Sequence, residues 1–285
     1  MRGSYRYSLA MAVLCVGIAS TILACPAAAA DDPAVLRADR AFVAAITKAD
    51  SGSVDSLADP EFTWTDAAGK TFTREQVLQA VPKPIIGDER AGQVTSRGYG
   101  QVEIVQAHAG KASIMRLWVK RPEGWRLLIY QEVKLMDSAP TVTPGTGATC
   151  DNPCKSLPYH AKSSTEQDVL KSYMALQTAT VYHDSPTWGK YVAAEFSAAS
   201  SNSDKVLDKQ GRMADLERSK MAGYAPVPVV AMQLFDFPDV TILVSLHQPI
   251  HGKPLRITRL WIKRNAKWLE AASYQTRIDG APAVP

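Results

Sequence analysis

Hydrophobic and polar residues along this chain follow one order: helical spacing first, then the alternation of strands. Apolar residues recur at helical intervals from Asp32-Pro33, a plausible N-cap and first helical position, and a short second helix ends at Pro60. Glu61 to Thr65 predicts a strand, and Thr73-Arg74-Glu75-Gln76 predicts a third helix with a capping box. An antiparallel meander of four strands is predicted next: Gln93 to Arg97, Gln101 to His108, Lys111 to Lys120 and Trp125 to Leu135.

The same order returns in the second half of the chain. A helix carrying Val169, Tyr173 and Leu176 is followed by a short helix from Trp188 to Val192. The strands predicted after them are Val229 to Phe235, Val240 to His247, Leu255 to Arg264 and Trp268 to Ile278. Two passes of helices and then strands indicate two α+β units.

A near repeat of sequence indicates that the two units arose by duplication. Arg116-Leu117-Trp118-Val119-Lys120-Arg121 recurs as Arg259-Leu260-Trp261-Ile262-Lys263-Arg264. A turn and a second tryptophan follow each copy, Trp125 in the first and Trp268 in the second. The copies then close on Tyr130-Gln131 and Tyr274-Gln275, with one extra residue in the second copy. Such internal similarity predicts tandem copies of one structural unit.

The first thirty residues are typical of a bacterial secretory signal. Arg2 and Arg6 precede an apolar run from Leu9 to Ala24, and an alanine run ends at Ala30, after which we expect cleavage. The apolar run is shorter than the roughly 20 residues a bilayer requires, so a spanning anchor is disfavoured. An alternative is a lipoprotein anchored at Cys25, because Ile22-Leu23-Ala24-Cys25 is similar to a lipoprotein box. Either reading places the protein in the periplasm, at the envelope or outside the cell.

Charge argues against nucleic acid as a partner. Loss of the leader removes two of the 32 basic residues and none of the 28 acidic ones, which leaves a net charge of +2. The chain has no basic block or basic stripe interleaved with aromatic residues. Its length suits two domains. We predict domains at residues 31–137 and 161–280, joined by a linker at residues 138–160 that is rich in Pro, Thr and Gly.

The linker holds the cysteines that remain after cleavage, Cys150 and Cys154. In an oxidising compartment this pair predicts a disulfide. The Asn152-Pro153 sequence between the cysteines favours a turn that would bring their Cα atoms within bridging distance. The Cys-x3-Cys spacing does not fit a redox enzyme motif.

Helix, short helix, strand, helix and then a four-stranded meander ending in a Trp-x6-Trp hairpin resembles the nuclear transport factor 2-like superfamily. Phe62-Thr63-Trp64-Thr65-Asp66 and the Arg116 to Arg121 stretch are similar to a subgroup known as a domain of unknown function. The resemblance covers nearly all of the chain after the leader, in two passes. It implies cone-shaped units in which a curved sheet wraps around helices. The superfamily includes SnoaL-like cyclases and ketosteroid isomerases. Relatives with one unit commonly dimerise through the outer sheet face, so the two units here are expected to form an intrachain pseudo-dimer.

The isomerase members of this superfamily imply positions for catalytic groups. Their helix-one tyrosine falls on Phe42 and Tyr173, and their base falls on Asp66 and near Ser200. Their protonated aspartate falls on Arg116 and Arg259. Each unit therefore keeps at most one of the three groups, and a guanidinium cannot replace a neutral carboxylic acid. Isomerase chemistry by that mechanism is disfavoured.

Asp66 and Arg116 are nevertheless the weak catalytic candidates, because an arginine can hold an anionic ligand while an aspartate acts as base. The alternative is that they pair with each other or face solvent. Residues predicted to line a ligand pocket, or otherwise to be simple core, are Phe42, Trp64, Tyr99, Trp118, Tyr173 and Arg259.

No cofactor or metal is predicted. The five histidines form no zinc-binding array, and neither a Walker loop, a dinucleotide fingerprint nor a Gly-x-Ser-x-Gly elbow occurs. The first hypothesis is an exported non-catalytic protein that binds a small apolar or amphipathic ligand or serves as an interaction module. The alternative is a SnoaL-like or isomerase-like enzyme in which one unit is active through Asp66 and Arg116.

Overall fold

The computed structural model describes residues 32–89, 92–138, 149–219 and 227–282, and these residues form two α+β units in tandem. The first unit comprises α1 Pro33–Thr47, α2 Ser51–Leu57, β1 Ala58–Thr65, β2 Thr71–Thr73, α3 Arg74–Gln79, β3 Gln93–Tyr99, β4 Val102–Ala109, β5 Ala112–Arg121 and β6 Gly124–Lys134. The second comprises α4 Ser164–Val181, α5 Ser185–Trp188, β7 Val192–Ser200, β8 Leu207–Asp208, α6 Lys209–Arg218, β9 Val229–Phe237, β10 Val240–His247, β11 Leu255–Arg264 and β12 Lys267–Arg277. The predicted fold class is confirmed. The proposed leader and Cys25 lie outside the described residues.

The two units have the same sheet topology. The first sheet has the order β2-β1-β6-β5-β4-β3 and the second the order β8-β7-β12-β11-β10-β9. In each, the last strand of the meander pairs in parallel with the strand that follows the helices, β6 with β1 and β12 with β7. The remaining pairs are antiparallel. Equivalent strands can therefore be matched residue by residue.

Local sequence accounts for the helix starts. Asp32 caps α1 by accepting from the Ala34 amide, with Pro33 at the first helical position, and Ser163 caps α4 by accepting from Glu166. The capping box predicted at Thr73 is present. The first strand begins at Ala58, before the predicted start, and Pro60 lies within it. The pairing of β1 with β6 shifts register between Ala58 and Thr63, and a proline is tolerated in a strand at such an irregularity.

Each sheet buries both of its faces. On β5, Arg116 and Trp118 face the helices of their own unit, while Leu117 and Val119 face the other sheet. The outer faces pack together in one apolar cluster, which we call the seam. Fully buried side chains of the seam come from both units: Val102, Met115, Leu117, Val119, Leu128, Val133, Ile242, Leu260 and Tyr274.

Polar contacts across the seam fix how the two sheets lie on each other. The Gln131 side-chain amide, on β6, donates to the Tyr274 carbonyl on β12 at 3.1 Å and to Thr276 Oγ1 at 2.9 Å. The turn after β1 packs so closely on the end of β12 that a Cβ on Gly69, whose φ is +81°, would lie 2.5 Å from the Arg277 carbonyl oxygen. Only glycine fits there.

Strand register corrects one part of the sequence repeat. Both final hairpins shift register at the same place, and Trp118 pairs with Leu127 as Trp261 pairs with Glu270. Arg116 then pairs with Tyr130, but Arg259 pairs with Ser273. The extra residue in the second copy therefore moves its tyrosine by one position. Because one position exchanges the two faces of a strand, Tyr130 lies inside its unit and Tyr274 lies in the seam.

The segment between the units carries the predicted cysteine pair. Cys150 and Cys154 are joined by a disulfide with a Cα–Cα distance of 5.6 Å, across a cis Asn152-Pro153 bond. Asn152 ties this segment to the second unit, since its side chain both donates to and accepts from the backbone of Val229. No helix among the described residues is long and apolar enough to cross a membrane.

We expect the chain without its leader to be monomeric in solution. The seam already covers the outer face of each sheet, which is the surface through which a single unit would need a second copy. Light scattering over a range of protein concentrations should give the mass of one chain throughout. A dimer in which the two units of a chain are apart would contradict this assignment.

Candidate functional site

The interior of the first unit contains one arginine held between two carboxylates. Arg116, on β5, is fully buried. Its Nε and Nη2 donate to the two oxygens of Asp39, on α1, at 2.7 and 2.9 Å. Its Nη2 also donates to Glu89 Oε2 at 2.9 Å. Burial opposes the charged form, but Asp39 and Glu89 outweigh it and raise the pKa of Arg116 above its ordinary value. The guanidinium remains charged and fully engaged.

Aromatic side chains fill the space beside this ion pair. Phe42, Trp64, Trp118 and Tyr130 are fully buried, and the Trp64 and Tyr130 rings stack with centroids 3.7 Å apart. Trp118 Nε1 donates to Asp39 Oδ1 at 2.9 Å. The predicted pocket residues of the first unit, Phe42, Trp64 and Trp118, are thus brought together as packed core around a satisfied aspartate.

Asp66 and Arg116 do not pair. Asp66 follows β1, and its Oδ1 accepts from the amides of Ala68 and Lys70 at 3.0 and 2.9 Å, which closes the turn before β2. Ser200, the last residue of β7 and the counterpart of Asp66, accepts from the Asn202 amide at 3.1 Å. Asp66 and Ser200 therefore have the same structural role at a turn. The replacement of an aspartate by a serine between the two units is not the loss of a catalytic base. Of the two weak catalytic candidates, one is a turn cap and the other is in a closed ion pair.

Tyr99 lies at the seam and not inside a cone, in contrast to the pocket predicted from its position. Its hydroxyl donates to Glu195 of the second unit at 3.2 Å, and the Arg264 guanidinium lies 6.0 Å from its ring centroid. Tyr99 is the last residue of β3, so its ring reaches across to the neighbouring unit. It serves as a contact between units.

Glu132, on β6, is an interior acid that the sequence analysis missed. Its side chain accepts from the Ile85 amide at 2.9 Å, the Ala67 amide at 3.1 Å and the Tyr130 hydroxyl at 3.2 Å. Burial raises the pKa of Glu132 to about 7, although these hydrogen bonds act in the opposite direction. The signal in the sequence was the alternation Tyr130-x-Glu132, which places both side chains on one face of a strand.

The second unit keeps the arginine and the tryptophan but changes their partners. Helix α4 aligned with α1 at their caps places Leu170 where Asp39 stands, so the acceptor between them is lost. Arg259 instead pairs with Glu270, on β12, with Nε 3.0 Å from Oε1, and lies 5.2 Å from the Tyr173 ring centroid. The predicted pocket residues Tyr173 and Arg259 are therefore brought together. Burial raises the pKa of Glu270 to about 7, although Arg259 acts to lower it.

A serine and a histidine extend this second cluster. Arg259 Nη1 donates to Ser245 Oγ at 3.3 Å, and Ser245 is 2.9 Å from His247 Nε2. His247 Nδ1 donates to the Val227 carbonyl at 2.9 Å. Burial, and then Arg259, lower the pKa of His247 to about 3, so the ring is neutral and its Nε2 accepts.

Buried N–H and O–H groups in this interior that lack a hydrogen-bond partner among the described residues include the Tyr173 hydroxyl, Trp261 Nε1 and Trp268 Nε1. The Tyr173 and Trp261 side chains are fully buried. The matching Trp118 has Asp39 as its acceptor, whereas Trp261 faces a unit in which that position is Leu170. Within the described residues, no group of three or more His, Cys, Asp or Glu is arranged to hold a metal ion.

Known proteins match this chain in structure and not in sequence. No protein-family model matches the sequence, and no curated protein matches it either. Solved structures do match. An NTF2-like protein from Cytophaga hutchinsonii is 16% identical, covers 41% of this chain and 100% of its own length, and has a TM-score of 0.37. A protein of unknown function with a cystatin-like fold from Nostoc punctiforme is 8% identical, covers 42% of this chain and 96% of its own, and has a TM-score of 0.37.

A protein of unknown function of the DUF3225 family from Pectobacterium atrosepticum is 13% identical, covers 39% of this chain and 88% of its own, and has a TM-score of 0.35. Each of these three structures spans 39% to 42% of this chain and is at most 16% identical to it.

Proposed function

We propose that this is an exported, non-catalytic protein that binds a small molecule inside its second unit. The observation that carries the proposal concerns two buried polar atoms near the Arg259–Glu270 ion pair, the Tyr173 hydroxyl and Trp261 Nε1, which have no hydrogen-bond partner among the described residues. Their counterparts in the first unit do not have this character, since Phe42 has no hydroxyl and Trp118 has an acceptor.

The first unit argues against catalysis. A general base or an anion-holding arginine must be able to reach a substrate, and Arg116 already donates to Asp39 and Glu89. Asp66 uses its carboxylate to close a turn. The aromatic cluster of Phe42, Trp64 and Tyr130 fills the remaining interior. These contacts support a structural role for the first unit.

The second unit supports binding. A buried hydroxyl or indole N–H without a partner costs about 1–3 kcal/mol, so a ligand that satisfies such groups gains that free energy. An indole N–H can only donate, so the ligand must offer an acceptor to Trp261. Apolar side chains of the same core cluster include Leu170 and Leu243, and the Arg259 guanidinium lies against the Tyr173 ring. We infer a small, mainly apolar ligand that carries a hydroxyl or a carbonyl group.

Export is the second part of the proposal. It is supported by the basic start, apolar run and alanine run of the first thirty residues, with cleavage after Ala30 or, in the alternative, lipid attachment at Cys25. A disulfide between Cys150 and Cys154 suits an oxidising compartment such as the periplasm.

An enzyme remains the second candidate, and the observation that favours it is Glu132. A buried carboxyl whose pKa is raised to about 7, next to a tyrosine hydroxyl, is suited to proton transfer at neutral pH. This acid would replace Asp66 in the enzyme hypothesis. Its 2% exposure and its three hydrogen bonds favour a structural role.

Tyr173→Phe tests the binding proposal. Removing an unsatisfied buried hydroxyl should raise the free energy of unfolding of the ligand-free protein by about 1 kcal/mol. The same change should weaken ligand binding about 3–10-fold, because the ring remains and one hydrogen bond is lost. Urea unfolding gives the first quantity. Ligand-observed NMR with a panel of phenols and cyclic ketones gives the second, and native mass spectrometry of protein purified from its own cells identifies a bound compound.

Tyr130→Phe is the matched control in the first unit. The Tyr130 hydroxyl donates to Glu132, so its removal should lower the free energy of unfolding by about 1 kcal/mol and leave binding of the panel unchanged. Equal destabilisation by both substitutions, or no binding of any compound of the panel and no copurified compound, would overturn the proposal.

Arg116→Leu tests the structural role of the first ion pair. It leaves the Asp39 carboxylate buried and without its cation, which should lower the free energy of unfolding by about 3–5 kcal/mol. Arg74→Leu is the control, because Arg74 pairs with Asp55 at the surface and its loss should cost less than about 1 kcal/mol. Chemical denaturation measures both. A stable Arg116→Leu protein with altered ligand binding would return Arg116 to the functional site.

Glu132→Gln tests the titration of the interior acid. The pKa of Glu132 is about 7 in the folded state against an ordinary 4.5, so the folded chain binds the proton more tightly. Its stabilising contribution is therefore present below the unfolded pKa and is lost as the pH rises through 7. The free energy of unfolding should fall between about pH 5 and pH 8, and less steeply in Glu132→Gln, with a difference of up to about 3 kcal/mol.

Glu270→Gln is the matched variant for this measurement, since the pKa of Glu270 is also raised to about 7. Each single variant should lose part of the pH dependence and the double variant most of it. Parallel curves for the wild type and Glu132→Gln, determined by urea unfolding at each pH, would show that Glu132 does not titrate in this range.

A further inference from the structure

The seam between the two sheets contains a crevice lined by residues of both units. The crevice has a volume of about 50 Å³. A single water needs roughly 10–15 Å³, so the crevice has room for about three to five water-sized atoms, which is the size of a carboxylate or a phosphate group. Its lining is Thr63, Thr65, Thr71 and Ile129 of the first unit and Gln233, Phe235, Val244, Arg256 and Thr258 of the second.

Arg256 is the only cation of this lining, and no carboxylate lies among the lining residues. It is half-buried on β11, and among the described residues its Nε is buried with no hydrogen-bond partner. The Arg256 guanidinium forms no ion pair with any of the described residues. Burial alone lowers the pKa of Arg256, which is the effect of removing water from a cation that has no anion to compensate.

The matching half of the seam shows why this crevice is open. Strand register makes Ser113 the counterpart of Arg256 and Gln106 the counterpart of Val244. In that half, the Tyr274 hydroxyl accepts from Gln106 Nε2 at 3.2 Å and from Ser113 Oγ at 3.3 Å. The ring of Tyr274 therefore closes the seam over those two residues.

Gln131 stands on β6 where Tyr274 stands on β12. Its shorter side chain donates to the Tyr274 carbonyl at 3.1 Å and to Thr276 Oγ1 at 2.9 Å. It offers no ring to cover Arg256. The shift of the tyrosine by one position thus seals one half of the seam and leaves the other half polar and open.

Hydrogen-bond donors surround the uncovered guanidinium. Thr65 and Thr71 lie on the first sheet with their hydroxyl oxygens 3.0 Å apart, so one hydroxyl donates to the other and the second can donate elsewhere. Thr63, Thr258 and the Gln233 amide complete the polar lining. An arginine with hydroxyl donors and no acid is a setting that recognises oxyanions, because the guanidinium presents paired N–H groups to planar or tetrahedral oxygens.

We propose that the crevice binds a small oxyanion, the carboxylate or phosphate group of a small solute, through Arg256 and the threonines of both units. Such an anion would neutralise the half-buried guanidinium and join the two sheets. This site is separate from the interior of the second unit, and neither proposal depends on the other.

Isothermal titration of the full chain without its leader tests this site. The probes are acetate, inorganic phosphate and sulfate, each against chloride at equal ionic strength. We expect one class to bind. Binding of acetate alone indicates a carboxylate site, whereas binding of phosphate and sulfate indicates a tetrahedral one. Arg256→Met should weaken binding about 10–100-fold, the loss typical of hydrogen bonds to a charged group.

Further variants distinguish binding in the crevice from effects elsewhere in the protein. Thr258→Val changes one crevice hydroxyl into a methyl group and should weaken binding about 3–10-fold. Arg74→Met removes a surface arginine elsewhere, so this variant should bind the anion as the wild type does. No binding of any probe by the wild type, or unchanged binding by Arg256→Met, would overturn the proposal. If Arg256→Met fails to fold, Thr258→Val decides it.

Discussion

The packing of the two sheets through the seam constrains the central strands of this protein. A strand side chain has only two directions, and on the central strands of both units one direction leads to the helices and the other to the neighbouring sheet. Leu117 and Leu260 must be apolar because each is fully buried in the seam. Arg116 and Arg259, one position away, must find partners within their own units. The near repeat in sequence therefore reflects the same alternation, in both units, between side chains that face the helices and side chains that face the seam.

Within these two sheets, the units differ in the partners of their buried arginine and tryptophan. Each buries an arginine and a tryptophan, and each needs an acceptor for them. In the first unit Asp39 accepts from both, and Glu89 completes the guanidinium. In the second, Leu170 removes that acceptor, Glu270 supplies the counter-charge from a strand, and the indole N–H is left over. The first unit thus satisfies its arginine and Trp118, although Trp64 Nε1 is buried without a partner among the described residues, whereas the second unit leaves the indole N–H of Trp261 unsatisfied. A buried donor without an acceptor costs free energy that a bound acceptor would recover.

The sequence predicted what is determined locally. Helix caps, the meander and the duplication follow from spacing over a few residues, and Thr73 and Gln76 form the capping box that their spacing indicated. The partners of Arg116 could not be predicted, because Asp39 is 77 residues away and Glu89 is 27 residues away in the sequence. Glu132 was missed for the same reason, since its donors Ile85 and Ala67 come from loops. The matching Tyr130-Gln131 and Tyr274-Gln275 pairs wrongly indicated equivalent tyrosines, because sequence similarity does not show which face of a strand a residue occupies.

Duplication within one chain makes possible an asymmetry that a dimer of identical units cannot have. In a twofold dimer, any residue placed in one half of the interface appears in the other half as well. A tyrosine that seals the seam would then seal it twice, and an uncovered arginine would occur twice and destabilise the contact at both places. Here Tyr274 closes one half with bonds to Gln106 and Ser113, while Gln131 leaves Arg256 exposed to the crevice in the other. The closed half can therefore stabilise the contact while the open half keeps a cation that forms no ion pair within the described part of the chain.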